Sequence, residues 1–266
     1  MALRSDLDWF AASLVRAVAV DPVDHSTVFA GGVMGDHAMA RSTDGGLHWS
    51  FMSSAGLFNP GDIEVSAVDH DYVWASGPND AVWKSSNGGD TCHKKSSGIT
   101  DTFVTEIALS PSSTDIAYAA CGISGGVFKT TDGGASWTQK NNGLTNHAVN
   151  AIVVDPDDKK HVLVGTISSG VFESTDGGSS WTPKNVGLPS NADVTALAFN
   201  PTDTQNVLVG LAGTGVYASS NGSDTWSNLN TGLPAGASRF IQDIAMSADG
   251  LVLYAGTSTG VYRLDA

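Results

Sequence analysis

The sequence predicts an all-β protein, a six-bladed β-propeller built from four-stranded blades. Three observations predict this fold: one motif recurs at a nearly constant spacing, each period contains four short strand-like segments, and no segment has the apolar period of a helix. The chain has 266 residues, 41% of them apolar, which is enough to bury a sizeable core. Its 31 glycines indicate many tight turns.

The recurring motif reads Ser42-Thr-Asp-Gly-Gly-Leu-His-Trp49 in its first copy. Four further copies follow, one with Cys92 in place of the tryptophan and one with Ser223 in place of the second glycine. The central residues of the five copies lie 43 to 45 residues apart and are Asp44, Asn87, Asp132, Asp176 and Asn221. A period of about 44 residues is the length of a propeller blade.

Within each period the pattern predicts four strands, the first of which is the inner strand. The inner strands are expected to begin near Val15, Ile63, Val104, Val149, Val194 and Ile241. Six blades then account for the whole chain as a single domain of residues 1–266.

The last blade ends after its third strand, without a motif or a fourth strand. Residues 7–13, around Trp9, form a strand-like segment that no blade uses. We therefore expect the N-terminal segment to pair as the missing outer strand and close a ring of six, because closure removes both open sheet edges. The alternative is a truncated ring of seven blades.

The repeated motif resembles the Asp-box, also called the BNR repeat, of sialidases, sortilin-type receptors, photosystem assembly factors and two-propeller xyloglucan-degrading glycoside hydrolases. The wider repeat, with Asp155-Pro156, residues 170–176 and Asn185-Val-Gly-Leu188, is most similar to the xyloglucanase type. The resemblance covers essentially the whole chain and implies the propeller fold. Because the motif occurs on enzymes, receptors and assembly factors alike, it does not imply one function.

The five boxes are interpreted as structural turns. Each Asp or Asn side chain is expected to bond a backbone N–H two residues on, glycine supplies the positive φ, and tryptophan covers the turn. The chain supports this interpretation, because Asn87 and Asn221 preserve the turn but lack an acid. In the families that the motif resembles, the boxes also lie far from the ligand face.

Charge and motifs exclude several classes of function. The formal charge of −14 repels nucleic acid and anionic lipid, so we expect neither as a partner. An apolar run at residues 9–20 is interrupted by Arg16, which argues against a signal peptide and leaves the compartment open. No run is long enough for membrane insertion, and the histidine spacing predicts no metal site. No cofactor is predicted, and Cys92 and Cys121 are expected to be free thiols.

Two segments, residues 122–126 and 256–260, match the G-x-S-x-G pattern of a nucleophile elbow. Both occupy the same repeat loop, without the helix that an elbow needs. We interpret them as Gly- and Ser-rich loops.

Function is instead expected where one blade departs from the others, on the loops of one face. Phenylalanines there can stack on sugar rings. The candidate ligand-binding residues are Arg16, Asp36, His37, Phe58, Phe103, His147, Asp193, Arg239 and Phe240.

Aligned inner strands place one polar residue of every blade at a common level, predicted to ring the channel mouth. These residues are Arg16, Glu64, Thr105, Asn150, Thr195 and Gln242. At the next level four blades are small or apolar, whereas two carry Glu106 and Asp243. A carboxylate among packing positions is costly unless it is paired or used. One hypothesis makes Glu106 and Asp243 an acid–base pair for a glycosidic bond, with Glu64 as a substitute. The other makes them hydrogen-bonded carboxylates that stabilise the blades.

The candidate functions follow from these residues. A sialidase is disfavoured because that family holds its substrate with three arginines, and Arg4, Arg41 and Arg263 lie outside the predicted face. A photosystem assembly factor is disfavoured because that family implies a basic patch, and one propeller does not form the two-domain cleft of the xyloglucanases. The sequence therefore favours a protein that binds a glycan or glycan-like small molecule. A glycoside hydrolase or lyase and a protein-docking scaffold are the alternatives, and whether the protein is an enzyme stays open.

Overall fold

The computed structural model of the chain describes residues 14–34, 37–52, 59–77, 81–101, 103–236 and 239–265. These residues form short antiparallel strands joined by turns, and they contain no α-helix. Within these ranges there is accordingly no helix of the length and apolarity that a membrane crossing requires.

The chain divides into two compact units, one of residues 1–121 and 128–139, the other of residues 122–127 and 140–266. The first unit holds three four-stranded sheets, here named blades one to three, apart from the first two residues of β11. Its strands are β1 (Leu14–Val20), β2 (Val28–Met34), β3 (His37–Ser42), β4 (Ser50–Phe51), β5 (Asp62–Val65), β6 (Tyr72–Gly77), β7 (Ala81–Ser86), β8 (Cys92–Lys94), β9 (Val104–Leu109), β10 (Ala117–Cys121), β11 (Gly126–Thr130) and β12 (Thr138–Gln139).

The second unit holds blades four to six, with each strand paired to the next in sequence. Its strands are β13 (Val149–Val154), β14 (Val162–Thr166), β15 (Gly170–Ser174), β16 (Thr182–Pro183), β17 (Val194–Phe199), β18 (Val207–Leu211), β19 (Gly215–Ser219), β20 (Ser227–Asn228), β21 (Ile241–Met246), β22 (Val252–Thr257) and β23 (Gly260–Asp265).

The predicted fold class, an all-β six-bladed propeller, is confirmed by these six sheets. Blade six has three strands within the described ranges, and the closing strand expected at residues 7–13 lies outside them. That the whole chain is a single domain stays a prediction.

A β-bulge interrupts the first strand of five blades just after it begins. In β1 the pairing with β2 shifts between Val15 and Ala17, so that Arg16 is the extra residue. The corresponding extra residues of the other four blades are Thr105, Asn150, Thr195 and Gln242. A bulge re-aims the extra side chain, which explains why a polar residue recurs at this level.

In blade two, Glu64 does not occupy the position of the bulge residues with which the sequence alignment places it. Glu64 pairs directly with Trp74, and β5 contains no shift. The turn after β5 gives the correct alignment, because Ser66 Oγ accepts the backbone N–H groups of Val68 and Asp69. The side chain of Asp21 accepts the same two bonds in blade one.

Counting back from that turn puts Gly61 at the bulge and Asp62 at the position of Glu106 and Asp243. The alignment of Glu64 with the polar level was therefore wrong by three residues. The physical reason is Pro60, which has no N–H to give the ladder, so regular pairing begins later in this blade.

The Asp-box turns differ in one detail from the sequence prediction. Asp132 accepts the N–H of Ser136, four residues on rather than two, at 2.9 Å. The hydroxyl of Thr130 supplies the shorter link, accepting the N–H of Asp132 at 3.3 Å. Asn87 accepts the N–H of Thr91 in the same way, so the amide replaces the carboxylate without loss of this bond.

The box tryptophans fasten one blade to the preceding one rather than only covering their own turns. Trp137 Nε1 donates to the carbonyl of Lys95 at 2.7 Å within the first unit, and Trp226 Nε1 donates to that of Lys184 at 2.8 Å within the second. Trp49 differs, since its Nε1 donates to Gly46 in its own turn at 3.1 Å. Apolar clusters between neighbouring blades of each unit form the core around these contacts.

Ser76 is a buried polar residue at a position where other blades are small and apolar. It pairs with Asp62, as Ala120 pairs with Glu106 and Gly165 with Ala151. Its Oγ is buried and has no hydrogen-bond partner in the described part of the chain. Such a hydroxyl costs roughly 1–3 kcal/mol of stability.

We therefore expect Ser76→Ala to raise the free energy of unfolding by about 1 kcal/mol, measured by urea denaturation. Ser66→Ala is the matched control and should destabilise the protein, because Ser66 Oγ accepts two backbone bonds. A Ser76→Ala variant less stable than the native protein would contradict the prediction.

Candidate functional site

An open cavity of about 470 Å³ lies in the second unit, where the first strands of blades four, five and six begin. Its lining includes the bulge residues of all three blades. The lining residues are Asn150, Thr195, Ala212, Phe240, Ile241, Gln242 and Ser258. All of these side chains are uncharged, so the cavity suits a neutral ligand.

Two of the three bulge residues in the cavity are held in place by hydrogen bonds from their side chains to the backbone. Thr195 Oγ1 donates to the carbonyl of Gly210 in its own blade at 3.1 Å. Asn150 Nδ2 donates to the carbonyl of Val194 in the next blade at 3.2 Å. The amide and the hydroxyl are therefore in fixed positions before a ligand arrives, which lowers the entropy cost of binding.

Phe240 provides the aromatic surface of the cavity. It forms an isolated β-bridge with Ala212, and its carbonyl accepts the N–H of Ser258 at 3.4 Å. The ring lies against Gly213, where a Cβ atom would be 3.4 Å from Phe240 Cζ. Although the ring is supported in this way, 53% of the residue stays exposed.

Two charged residues lie in the segments that precede inner strands, which we name the lead-in loops. Asp193 lies directly before β17, and Arg239 lies two residues before β21. Asp193 and Arg239 are both half-buried. Their carbonyls accept the N–H groups of Ala212 and Gly213, at 2.9 and 3.0 Å. Burial raises the pKa of the Asp193 carboxyl.

Asp243 follows the bulge residue Gln242 on β21. Its carboxylate accepts the N–H of Ile244 at 2.8 Å. The side chain reaches solvent, yet the surrounding protein desolvates it, and this burial raises its pKa more than the backbone bond lowers it. A carboxyl with a raised pKa has the property that a general acid needs.

In the first unit, carboxylates lie on the first strands of blades two and three. Burial, with the neighbouring charge of Asp62, raises the pKa of Glu64 well above its usual value. Asp62 itself accepts the N–H of Ile107 at 2.7 Å and so links blade two to blade three. Glu106 is half-buried. The catalytic roles of Glu64, Glu106 and Asp243 stay predictions.

The other predicted ligand residues that the structure describes are not among those that line the cavity. Arg16, Phe103 and His147 are exposed, and the His37 ring stacks on Phe51 with 4.3 Å between ring centroids. Asp36 and Phe58 lie outside the described residues. Among the described candidates, only Phe240 lines the cavity, and Asp193 and Arg239 bond its neighbouring residues Ala212 and Gly213.

Sequence reasoning missed Ala212 and Ser258 as parts of this site. Ser258 belongs to the G-x-S-x-G segment of residues 256–260, which the sequence predicts to be a Gly- and Ser-rich loop. Their position in the repeat could have identified them, because both residues follow the second strand of a blade, and those loops are expected to share a face with the lead-in loops. Neither residue is charged or aromatic, however, so nothing in its chemistry distinguishes it. The described residues contain no cluster of three or more His, Cys, Asp or Glu placed to hold a metal ion.

Comparison with known proteins identifies similar folds. The family profile described as Sortilin-Vps10 (sortilin, neurotensin receptor 3) matches residues 125–240, less than half of the chain. No curated protein sequence matches the chain.

Among solved structures, a GH74 enzyme from Niastella koreensis is 19% identical with a TM-score of 0.76, covering 94% of this chain and 44% of its own. A GH74 xyloglucanase from Xanthomonas campestris is 16% identical with a TM-score of 0.74 and the same coverage. YCF48 bound to D1 peptide is 13% identical with a TM-score of 0.70, covering 96% of this chain and 79% of its own.

These likenesses confirm the resemblance to Asp-box propellers, including those of the xyloglucanase type. The chain spans less than half the length of the GH74 structures that it matches. At these identities the likeness establishes the fold and does not assign a substrate.

Proposed function

We propose that this protein binds a neutral glycan, or a polyol resembling one, in the cavity of the second unit. The observation that carries the proposal is the half-exposed Phe240 ring beside the uncharged side chains of Asn150, Thr195 and Gln242. An aromatic face suits the apolar face of a sugar ring, and amides and hydroxyls both donate to and accept from sugar hydroxyls.

Charge supports a neutral ligand. The chain carries a formal charge of −14, which repels phosphorylated or sulfated ligands, and none of the described residues that line the cavity is a cation. The structural neighbours include a xyloglucanase, so a polysaccharide is a ligand class compatible with this architecture.

Phe240→Ala is expected to weaken glycan binding about tenfold or more, because it removes the stacking surface. Binding is measured by calorimetry with a panel of neutral plant, bacterial and animal polysaccharides. Phe103→Ala is the matched control, since Phe103 precedes β9 as Phe240 precedes β21 and is 38% exposed. Unchanged binding in Phe240→Ala, an equal loss in Phe103→Ala, or binding of no polysaccharide would each contradict the proposal.

A glycoside hydrolase is the second candidate, favoured by the raised pKa of Asp243 directly after a cavity residue. The test is product chromatography after incubation with the same panel, alongside Asp243→Asn. Products that disappear in the variant would support an acid catalyst. No products from the native protein, or products that persist in the variant, would remove Asp243 from that role.

A further inference from the structure

We propose that Asp193 and Arg239 form a hydroxyl-binding subsite beside the cavity, where one ligand hydroxyl donates to Asp193 Oδ1 and accepts from Arg239 Nε. The subsite deepens the proposed function and rests on it. Its expected ligand is a polyol whose ring or chain lies in the cavity while one hydroxyl reaches the lead-in loops.

The first argument is the placement of the two loops. Asp193 O accepts from Ala212 N, and Arg239 O accepts from Gly213 N. Because Ala212 and Gly213 are consecutive, the lead-in loops of blades five and six are both anchored to the same short segment. Ala212 lines the cavity, and Arg239 directly precedes Phe240, so both loops lie at its rim.

The second argument is an unmet need for hydrogen bonds. Asp193 Oδ1 and Arg239 Nε are both buried, and neither atom has a hydrogen-bond partner in the described part of the chain. Buried polar atoms are almost always paired, so each orphan calls for an explanation. Two orphans on adjacent loops indicate that a component from outside the chain completes them.

The third argument is the chemistry of the missing component. Ionised Asp193 only accepts a hydrogen bond, and Arg239 only donates one. A carboxylate or phosphate would satisfy the arginine but would repel the aspartate, and an ammonium group would do the reverse. A hydroxyl group both donates and accepts, so it satisfies the two atoms together.

Glycerol is the probe for the test, because it is the simplest compound that offers several hydroxyls. It is titrated into the ¹⁵N-labelled protein, and the amide signals of Ala212 and Gly213 are followed by NMR. Dimethyl sulfoxide, which accepts but does not donate, is the control compound. We expect saturable shifts with glycerol and no saturation with dimethyl sulfoxide.

The double variant Asp193→Leu/Arg239→Met removes both orphan atoms while it keeps much of their volume. We expect its affinity for glycerol to fall about tenfold or more, since hydrogen bonds to charged groups are lost. Asp193→Asn keeps an acceptor oxygen and should retain binding, which guards against a folding defect as the cause.

Shifts that never saturate, or equal affinity in the double variant, would overturn the subsite. The outcome is separable from that of the proposed function. If polysaccharides bind and Phe240→Ala abolishes this while the double variant binds normally, only the subsite fails. If glycerol saturates the two amides but no polysaccharide binds, only the glycan proposal fails.

Discussion

Trp181→Ala is expected to lower the free energy of unfolding by about 3–5 kcal/mol, the usual cost of deleting a large buried aromatic side chain. Trp181 is 3% exposed in the core of the second unit. Its Nε1 donates to Lys140 O, and its backbone N–H donates to Asn142 O at 2.9 Å. The substitution would remove the packing of the indole and its hydrogen bond to Lys140 together.

Close packing leaves this site little room to relax. A Cβ atom on Gly143 would lie 2.2 Å from the carbonyl oxygen of Trp181, so the two backbones already touch. The cavity left by the indole would therefore stay largely open, which places the cost in the upper part of the range.

Urea denaturation measures the effect, with Trp49→Ala as the matched control. Trp49 occupies the same box position but is half-exposed, and its Nε1 bonds Gly46 in its own turn. We expect this variant to lose about 2 kcal/mol or less. Equal losses in the two variants would show that the box turn itself, and not the burial of the indole and its bond to Lys140, provides the stability.

Glu173→Ala is expected to cost about 3 kcal/mol at pH 5.5, because it leaves neighbouring cations without their partner. Glu173 Oε1 lies 3.0 Å from His161 Nε2, and Glu173 Oε2 lies 3.2 Å from Lys184 Nζ. The His161 and Glu173 side chains are only 15% and 12% exposed. The network joins blade four to the box loop of blade five, where Ser223 Oγ donates to Glu173 and Lys184 pairs with Asp224.

His161 makes this network sensitive to pH. Its second nitrogen, Nδ1, lies 2.8 Å from Asp155 Oδ2, so both ring nitrogens face carboxylates. Only the protonated ring donates from both nitrogens. The hydrogen bond to Glu173, opposed by burial and aided by Asp155, raises the pKa of His161 above its usual 6.5.

The sign of the pH dependence follows from linkage. Because the pKa of His161 is raised by folding, its contribution is full below about pH 6.5 and is lost as pH rises through the raised value. For Glu173, burial alone would raise the pKa, but the bonds from His161 and Lys184 lower it below 4.5, so its contribution is lost in acid. The network should therefore contribute most to the free energy of unfolding between about pH 4.5 and pH 6.5, where Glu173 is ionised and His161 is protonated.

The free energy of unfolding, measured from pH 5 to pH 9, checks this prediction. His161→Gln should be less stable than the native protein at pH 5.5 and should approach it in alkali. His70→Gln is the control, since the His70 ring bonds a carboxylate, that of Asp21, only through Nδ1, and its side chain is far more exposed, at 41% against 15% for His161. A difference between native and His161→Gln proteins that does not change with pH would contradict the protonated network.

Much of the fold could be predicted because it depends on local, repeated chemistry. The box motif recurs in register, and the inner strands begin within a residue of the positions expected for them. Blade two shows where this reasoning fails, because Pro60 delays regular pairing and the polar residue three positions on imitates the missing bulge. A repeat pattern identifies equivalent residues only where the backbone hydrogen bonds are also equivalent.

The candidate site was predictable only in part. Phe240, Asp193 and Arg239 can be selected from the sequence because they break the repeat. The same criterion selects His37, which is not among the residues that line the cavity, and Asp36, which lies outside the described residues. Departure from a repeat identifies unusual residues, but it does not show which of them meet.

The sequence by itself determined the number of blades, the box turns and the strand order, because glycine, proline and hydrogen-bonding side chains fix these within a few residues. Only the tertiary structure decided that bulge residues of three blades line one cavity and that box tryptophans bond the preceding blade. It also decided that Asp193 and Arg239 each keep a buried atom with no hydrogen-bond partner among the described residues. The physical reason is that these features depend on contacts between residues some 40 positions apart, whose geometry is set by packing rather than by local preference.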